Sequence, residues 1–254
     1  MIKLHRTGPV STIVMSRAPV NAIDPAFVTD FHQALDEVER TQPTIVVVRS
    51  DQKCFSAGAD LSLIRRFFSE AGGTQRMVDY VKTLHELFGR IEALPAVTLT
   101  CIAGPALGGG LELALSCDLR IATRGAKLGL PEARVGMIPG AGGTQRLTRL
   151  CGPGTASQLI LGGEVVDGFE AARIGVVQWS VDDADLDGAV QRIVDRIAGL
   201  SRPALIAAKD CILGALNPVI NGYALELEKP LLLMETEEAR QRVERFFVPK
   251  PARA

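Results

Sequence analysis

The chain has 254 residues, of which 47% are hydrophobic, so it is long enough to bury a large core. Its 28 Lys and Arg residues nearly balance 29 Asp and Glu residues, which gives no electrostatic reason to expect a nucleic acid or an anionic membrane as partner. The five cysteines are an odd number without C-x-x-C spacing, and the N-terminus lacks the apolar segment of a signal peptide. We therefore expect a cytoplasmic protein with reduced thiols, whose partner is a small molecule or another copy of itself.

The first half of the chain alternates between segments typical of strands and segments typical of helices. Asp24 can cap a helix, and Pro25 suits the first helical position. Helical periodicity continues from there to Pro43 and returns at residues 74–94, whereas 62–73 lacks it and is expected to be irregular. A turn-flanked pair of segments and runs rich in β-branched residues predict strands at 2–6, 11–16, 44–49, 97–103 and 118–123.

The second half of the chain is largely helical. Apolar periodicity predicts helices at 144–151, 154–161, 168–174, 184–200, 203–215 and 221–247, with one strand at 176–181. The repeated order of strand, loop and helix predicts an α/β fold in which loops at strand ends carry the functional site. We expect one core domain over residues 1–195, followed by a C-terminal helical region over 196–254.

Residues 104–112 form a glycine-rich stretch, Gly-Pro-Ala-Leu-Gly-Gly-Gly-Leu-Glu, directly before an apolar run. Consecutive glycines allow backbone N–H groups to approach a ligand, and the pattern indicates that a helix begins here. Glu112 lies inside the apolar start of this helix, where a carboxylate is rare unless it is paired, hydrogen-bonded or catalytic. An acid that is merely favoured by the helix dipole is the alternative interpretation.

A second carboxylate in an unusual place is Glu132, which follows a proline turn beside another apolar segment. Two carboxylates in one water-poor pocket raise the pKa of at least one of them, so that one can take a proton while the other gives one. A surface acid after a turn is the alternative for Glu132.

The glycines at 140, 142 and 143 favour a structural turn, because no P-loop lysine follows them. No histidine has a metal-binding or catalytic context, so we expect neither a metal ion nor a histidine base.

Taken together, these segments closely resemble the crotonase superfamily, the enoyl-CoA hydratase/isomerase proteins, and most of all its enoyl-CoA hydratases. The resemblance covers nearly the whole chain in the expected order, through residues 55–61, 104–114, 117–118, 130–132, 136–147 and 171–177. It implies a crotonase-like spiral of ββα units with a C-terminal helical trimerisation region. The expected assembly is a homotrimer or a dimer of trimers.

The resemblance also implies the substrate and the site. Acyl-CoA thioesters are the expected substrates, and no separate cofactor is expected because coenzyme A is part of the substrate. Ala59 and Gly109 match the two residues whose backbone N–H groups form the oxyanion hole, and Glu112 and Glu132 match the two hydratase carboxylates. The positions that match CoA and substrate contacts are Ala57, Ala59, Asp60, Leu61 and Gly109.

The implied activity is that of an enoyl-CoA hydratase, a lyase of fatty-acid β-oxidation that converts trans-2-enoyl-CoA to 3-hydroxyacyl-CoA. An enoyl-CoA isomerase, or another crotonase reaction on an acyl-CoA, is the first alternative. A non-catalytic acyl-CoA-binding scaffold is the second. The sequence departs from many hydratases at Leu128 and Leu130, where Phe and Gln are usual in the family.

Overall fold

The computed structural model describes residues 1–247, and the chain divides into two compact units, Met1–Ile197 and a second unit that begins at Ala198. The strands are β1 (Ile2–Thr7), β2 (Val10–Met15), β3 (Ile45–Ser50), β4 (Val97–Ile102), β5 (Ala106–Leu107), β6 (Leu119–Thr123), β7 (Lys127–Gly129), β8 (Val165–Asp167) and β9 (Trp179–Val181). The helices that begin in the first unit are α1 (Pro25–Thr41), α2 (Leu61–Ser69), α3 (Gly73–Glu92), α4 (Gly109–Leu115), α5 (Gly143–Leu161), α6 (Gly168–Arg173) and α7 (Leu186–Ala198). Within residues 1–247, no helix is both long and apolar enough to span a membrane.

The first unit is built on a six-stranded sheet in the order β1-β2-β3-β4-β6-β9, with a small three-stranded sheet, β5-β7-β8, beside it. The first two strands pair antiparallel and the other neighbours in the large sheet pair parallel. Residues 45–48 of β3 are buried on both faces, as expected for an interior parallel strand. Because β3 and β4 are parallel neighbours, the loops that follow them leave the same edge of the sheet.

Local signals for the first elements are confirmed. The predicted hairpin is β1 and β2, and α1 begins at Pro25 with the Asp24 carboxylate accepting a hydrogen bond from the Phe27 N–H at 2.8 Å. The segment expected to be irregular is instead a helix, α2, so that prediction is wrong. The Asp60 carboxylate caps it by accepting the Ser62 N–H at 2.8 Å, and Leu63 and Ile64 are buried beneath it.

The shortest strands are absent from the sequence-based prediction, because two or three residues show no periodicity of their own. They are β5, β7 and β8, whose pairing with one another depends on distant parts of the chain. The strand predicted at 176–181 is confined to Trp179–Val181. The helices predicted at 144–151 and 154–161 are the two arms of α5, which is interrupted at Gly152, where φ is 79° and ψ is 165°.

The second unit contains three helices within its described residues, namely α8 (Arg202–Ala215), α9 (Gly222–Met234) and α10 (Glu237–Phe247). The single helix predicted at 221–247 is therefore divided into two, since it breaks between Met234 and Glu237. Asn221 caps α9 by accepting the Ala224 N–H at 3.1 Å. Residues 248–254, which the predicted C-terminal region includes, lie outside the described part of the chain.

Candidate active site

The loop after β3 and the turn that begins α4 are in direct backbone contact. A Cβ atom added to Gly58 would lie 2.7 Å from the Gly109 nitrogen and 2.8 Å from the Leu107 oxygen. Gly58 also has a φ of +86°, which disfavours any other residue. A Cβ atom added to Gly109 would lie 3.4 Å from the Ala59 nitrogen. The N–H groups of Ala59 and Gly109 are therefore close together, because Gly58 and Gly109 have no side chains to hold the two backbone segments apart.

These two N–H groups are available to a ligand. Within residues 1–247, neither of them donates a hydrogen bond to the protein, and both residues line the same cavity. Ile23 holds the loop on either side of Ala59, because its N–H donates to the Gly58 oxygen at 2.8 Å and its oxygen accepts from the Asp60 N–H at 2.9 Å. Two fixed N–H donors that have no partner in the described part of the chain form a site that can stabilise negative charge on an oxygen atom.

The cavity beside these donors has a volume of about 230 Å³ and mainly apolar walls. Helices α2 and α3 supply much of that wall, including Leu61, Ile64, Met77, Tyr80, Val81 and Leu84. Glu112 and Glu132 line the same cavity, so two carboxylates that are distant in sequence share one apolar space. An apolar cavity with a few convergent polar groups is the usual form of a small-molecule site.

Glu112 projects from the first turn of α4 and is only 3% exposed. Its Oε1 atom accepts hydrogen bonds from the backbone N–H groups of Ala141 and Gly143, each at 2.8 Å. Burial raises the pKa of this carboxyl to about 7, and the nearby charge of Glu132 adds to that rise, while the two N–H donors and Arg146 act in the opposite direction. Glu112 can therefore exchange a proton near neutral pH.

Glu132 begins a single 3-10 turn, Glu132–Val135, and its side chain is half-buried. Its Oε1 atom lies 3.0 Å from the position that a Cβ atom would take on Gly108, so the absence of a side chain there leaves room for the carboxylate. Its Oε2 atom is buried and has no hydrogen-bond partner among residues 1–247. Burial raises the pKa of Glu132 as well, so neither glutamate is an ordinary surface acid.

The structure brings most of the predicted site residues together, with one exception. Ala57, Ala59, Leu61 and Gly109 line the cavity with the two glutamates. Asp60 does not line it, because its carboxylate caps α2 and lies 3.9 Å from the Arg17 guanidinium. No group of three or more His, Cys, Asp or Glu side chains in the described residues is arranged to hold a metal ion.

Sequence reasoning missed the groups that hold Glu112. The glycines at 140, 142 and 143 favour no more than a structural turn from the sequence, whereas in the structure the N–H groups of Ala141 and Gly143 bind the carboxylate directly. The signal that could have revealed this was the small-residue run immediately before α5, since a helix N-terminus with bare backbone binds an anion. The anion is a side chain of the protein itself.

A family model described as enoyl-CoA hydratase/isomerase matches residues 5–245. The chain belongs to this family. The resemblance inferred from the sequence is confirmed, and with it the crotonase-like α/β fold and membership of a family of enzymes that act on acyl-CoA substrates.

Among the relatives of this crotonase-family enzyme, some are named as hydratases and others as both isomerase and hydratase. It is 37% identical over 206 residues to the enoyl-CoA isomerase/hydratase fer4 of Mycosarcoma maydis, covering 80% of this chain and 73% of that protein. It is 32% identical over 212 residues to the short-chain-enoyl-CoA hydratase of Clostridium acetobutylicum, covering 82% and 79%. The solved enoyl-CoA hydratase of Bacillus anthracis superposes with a TM-score of 0.89 at 30% identity, covering 96% and 95%.

The two positions where this crotonase-family chain departs from many hydratases are both inaccessible to solvent. Leu128 and Leu130 are each 0% exposed. The Leu130 Cδ1 atom lies 3.0 Å from the position that a Cβ atom would take on Gly143, so Leu130 packs behind the turn that binds Glu112. Leu130 therefore supports that turn by apolar packing, and its side chain supplies no hydrogen bond to it.

Proposed function

We propose that this protein is an enoyl-CoA hydratase, which adds water across the 2,3 double bond of a trans-2-enoyl-CoA and releases 3-hydroxyacyl-CoA. The observation that supports this most directly is one apolar cavity that holds a buried and a half-buried carboxylate together with two backbone N–H groups that have no partner within residues 1–247. Hydration needs a base for the water, a proton donor for Cα and a site for the enolate oxygen. The cavity offers a candidate for each requirement.

The thioester oxygen is proposed to accept hydrogen bonds from the N–H groups of Ala59 and Gly109. Negative charge develops on this oxygen when water adds to Cβ and the double-bond electrons move towards the carbonyl. Donors that are fixed before the reaction stabilise this charge without reorganising, and each such donor typically contributes roughly 10² to 10³ in rate. The glycine contact between the two loops explains why these donors can be held so close.

We assign the role of general base to Glu112 and that of proton donor to Glu132. Glu112 is the carboxylate whose Oε1 accepts two N–H groups, and such donors favour its ionised form. Glu132 has a buried oxygen without a donor among the described residues, and this favours its protonated form. Glu112 removes a proton from water as the C–O bond forms at Cβ, and Glu132 delivers its proton to Cα of the enolate.

The decisive experiment measures turnover of a series of trans-2-enoyl-CoA thioesters. The loss of absorbance of the conjugated thioester reports the reaction. Hydration in H₂¹⁸O must place the heavy oxygen on the 3-hydroxy product. If the protein hydrates none of the chain lengths in the series, the proposal is overturned. Assignment to β-oxidation, a cytoplasmic location and the absence of a separate cofactor stay predictions.

Double-bond isomerisation is the second candidate, and the joint name of the Mycosarcoma maydis relative favours keeping it. An isomerase would convert a 3-enoyl-CoA to the conjugated 2-enoyl-CoA, so absorbance would rise and no ¹⁸O would be incorporated. The second carboxylate favours hydration, because moving a proton between two carbons of one substrate requires only a single acid–base group. A scaffold without catalysis would bind acyl-CoA and turn over neither substrate.

A further inference from the structure

Two consecutive glycines separate the largely buried Arg146 guanidinium from the Glu112 carboxylate. A Cβ atom added to Gly142 would lie 2.3 Å from Nη1 of Arg146, and one added to Gly143 would lie 2.9 Å from Oε1 of Glu112. The guanidinium and the carboxylate therefore pack against adjacent residues of one turn. A side chain at either glycine would collide with one of the two groups, so both charges are close to bare backbone.

Arg146 is held firmly beside this turn. Its Nη1 donates to the Ala141 oxygen at 3.0 Å, and its Nη2 forms an ion pair with Glu92 at 3.0 Å. The Arg146 side chain is 11% exposed, and its Nε is buried without a hydrogen-bond partner within residues 1–247. The hydrogen bond to Ala141 fixes the same peptide segment whose N–H groups bind Glu112, which links the cation to the proposed base.

Charge acts strongly over short distances where water is excluded, so Arg146 influences how readily Glu112 ionises. Its positive charge lowers the pKa of Glu112, against the effect of burial. The other titratable groups near Glu112 are Glu132, whose charge raises that pKa, and Tyr80 of α3, whose hydroxyl donates to the Ile23 oxygen at 2.8 Å. His85, also on α3, bonds the Gly140 oxygen at 2.7 Å and so contacts the start of the same segment.

We propose that the Glu92–Arg146 pair is a positioning device for the proposed general base: Arg146 fixes the 140–143 segment that binds Glu112, and its charge stabilises the carboxylate form of Glu112. Glu92 holds the guanidinium in place and offsets part of its charge. This inference rests on the proposed function, since it assigns a purpose to the ionised form of Glu112. Neither Arg146 nor Glu92 lines the cavity, so neither is proposed to touch the substrate.

The test uses the sign of the pH response. The acid limb of kcat/KM against pH should move up by about one unit in Arg146→Gln, because the ionised form of Glu112 loses a stabilising positive charge. It should move down in Glu92→Gln, because the cation is no longer offset. Arg146→Lys keeps the charge and should leave the limb within about 0.3 unit of the wild type while lowering kcat, since one ammonium cannot make both contacts. Lower kcat with unmoved limbs in both Gln variants would mean a purely structural role and would overturn the proposal.

A second readout does not depend on turnover. The Glu112 carboxyl carbon is followed by ¹³C NMR during titration of protein labelled at glutamate, in a Glu132→Gln background that removes the coupled acid, with Glu112→Gln identifying the signal. Opposite shifts of the midpoint in the Arg146→Gln and Glu92→Gln proteins are expected even if no enoyl-CoA is hydrated. Identical midpoints would overturn the inference without affecting the hydratase proposal.

Arg90 provides the matched control. It lies near the end of α3, as Glu92 does, but its guanidinium pairs with Asp36 and Glu39, at 2.6 and 2.8 Å. Arg90→Gln removes the same unit of charge and should leave both the pH limb and the titration midpoint of Glu112 unchanged. If Arg146→Gln does not fold, Glu92→Gln and Arg146→Lys decide alone: a lower midpoint with Gln at 92 and an unchanged one with Lys at 146 support the proposal, and any other pair of results overturns it.

Discussion

Two features of the structure shift the pKa of Glu112 in opposite directions. Burial at 3% exposure favours its neutral form, whereas two backbone N–H groups at 2.8 Å favour its charge. The resulting pKa of about 7 lies well above the ordinary value of 4.5 for a glutamate. An enzyme that works near neutral pH benefits from a base poised there, but the folded state must hold a buried charge whenever that base is ready to act.

Substituting Glu112 by Gln should therefore separate activity from stability. Because the pKa of Glu112 is higher in the folded state than in the unfolded state, its protonated form stabilises the fold fully at pH values below about 4.5. This contribution to the free energy of unfolding is lost as the pH rises from about 4.5 to 7. The loss amounts to on the order of 3 kcal/mol, which Glu112→Gln avoids because an amide oxygen still accepts both N–H groups. We expect kcat to fall by roughly 10² to 10⁴. The midpoint of thermal unfolding, relative to wild type, should be higher at pH 8 than at pH 5.

Thermal unfolding at both pH values, together with steady-state turnover, provides the measurement. Glu86→Gln is the control, because Glu86 is exposed on α3 and its substitution should change neither quantity appreciably. A Glu112→Gln protein that keeps near-normal kcat would contradict the role of base. Equal gains in stability at pH 5 and pH 8 would contradict the burial argument.

At the scale of elements, the success of prediction depended on whether the signal was local. Helix α1 could be predicted because Asp24 and Pro25 mark its start within the sequence itself. Helix α2 could not, because it spans nine residues and places exposed arginines next to buried apolar side chains. The short strand β5 exists only because distant residues pair with it, through Ser56 on one side and β7 on the other.

The same distinction applies to the candidate site. Glu112 and Glu132 were identifiable because each is an acid in an apolar or turn context, and the crotonase resemblance gave each a role. The partners of Glu112 were not, since the Ala141 and Gly143 N–H groups reach it only after α4 and α5 have packed. Arg146 shows the limit most clearly, because its sequence neighbourhood is that of an ordinary first-turn helix arginine.

The contact between the loop after β3 and the start of α4 allows a test at this scale. Gly58→Ala would place a methyl group 2.7 Å from the Gly109 nitrogen, in a backbone conformation with φ of +86°. The two loops must then separate, and the N–H groups of Ala59 and Gly109 with them. We expect kcat to fall by about 10², the usual cost of one oxyanion donor, with the pH limbs unmoved.

Two other glycines separate steric contact from backbone strain. Gly8 has a positive φ of +56° with nothing within 4 Å of an added Cβ, and Gly125 has open space and no positive φ. Gly8→Ala should cost stability without affecting kcat, and Gly125→Ala should affect neither. If Gly8→Ala lowers kcat as much as Gly58→Ala, then general destabilisation explains the loss and the loop contact does not.

At the scale of the whole molecule, the second unit exposes an unusually apolar helix. Tyr223, Leu227, Leu231 and Met234 of α9 recur at helical spacing, and each is at least 67% exposed. Contiguous apolar surface of this kind marks a protein–protein interface more often than a free surface. The expectation of a trimer or a dimer of trimers stays a prediction, and we expect the interface between subunits to include α9.

Leu231→Asp should therefore weaken self-association. A carboxylate introduced into an apolar interface would lose its hydration without gaining a partner, so the assembly should dissociate at concentrations where the wild type is associated. Sedimentation equilibrium across a range of protein concentrations gives the mass of each species. Glu226→Gln changes the charge of the same helix by one unit at an exposed polar position and should leave the mass unchanged. A wild-type protein that sediments as a monomer throughout would contradict both the predicted assembly and the assignment of its interface to α9.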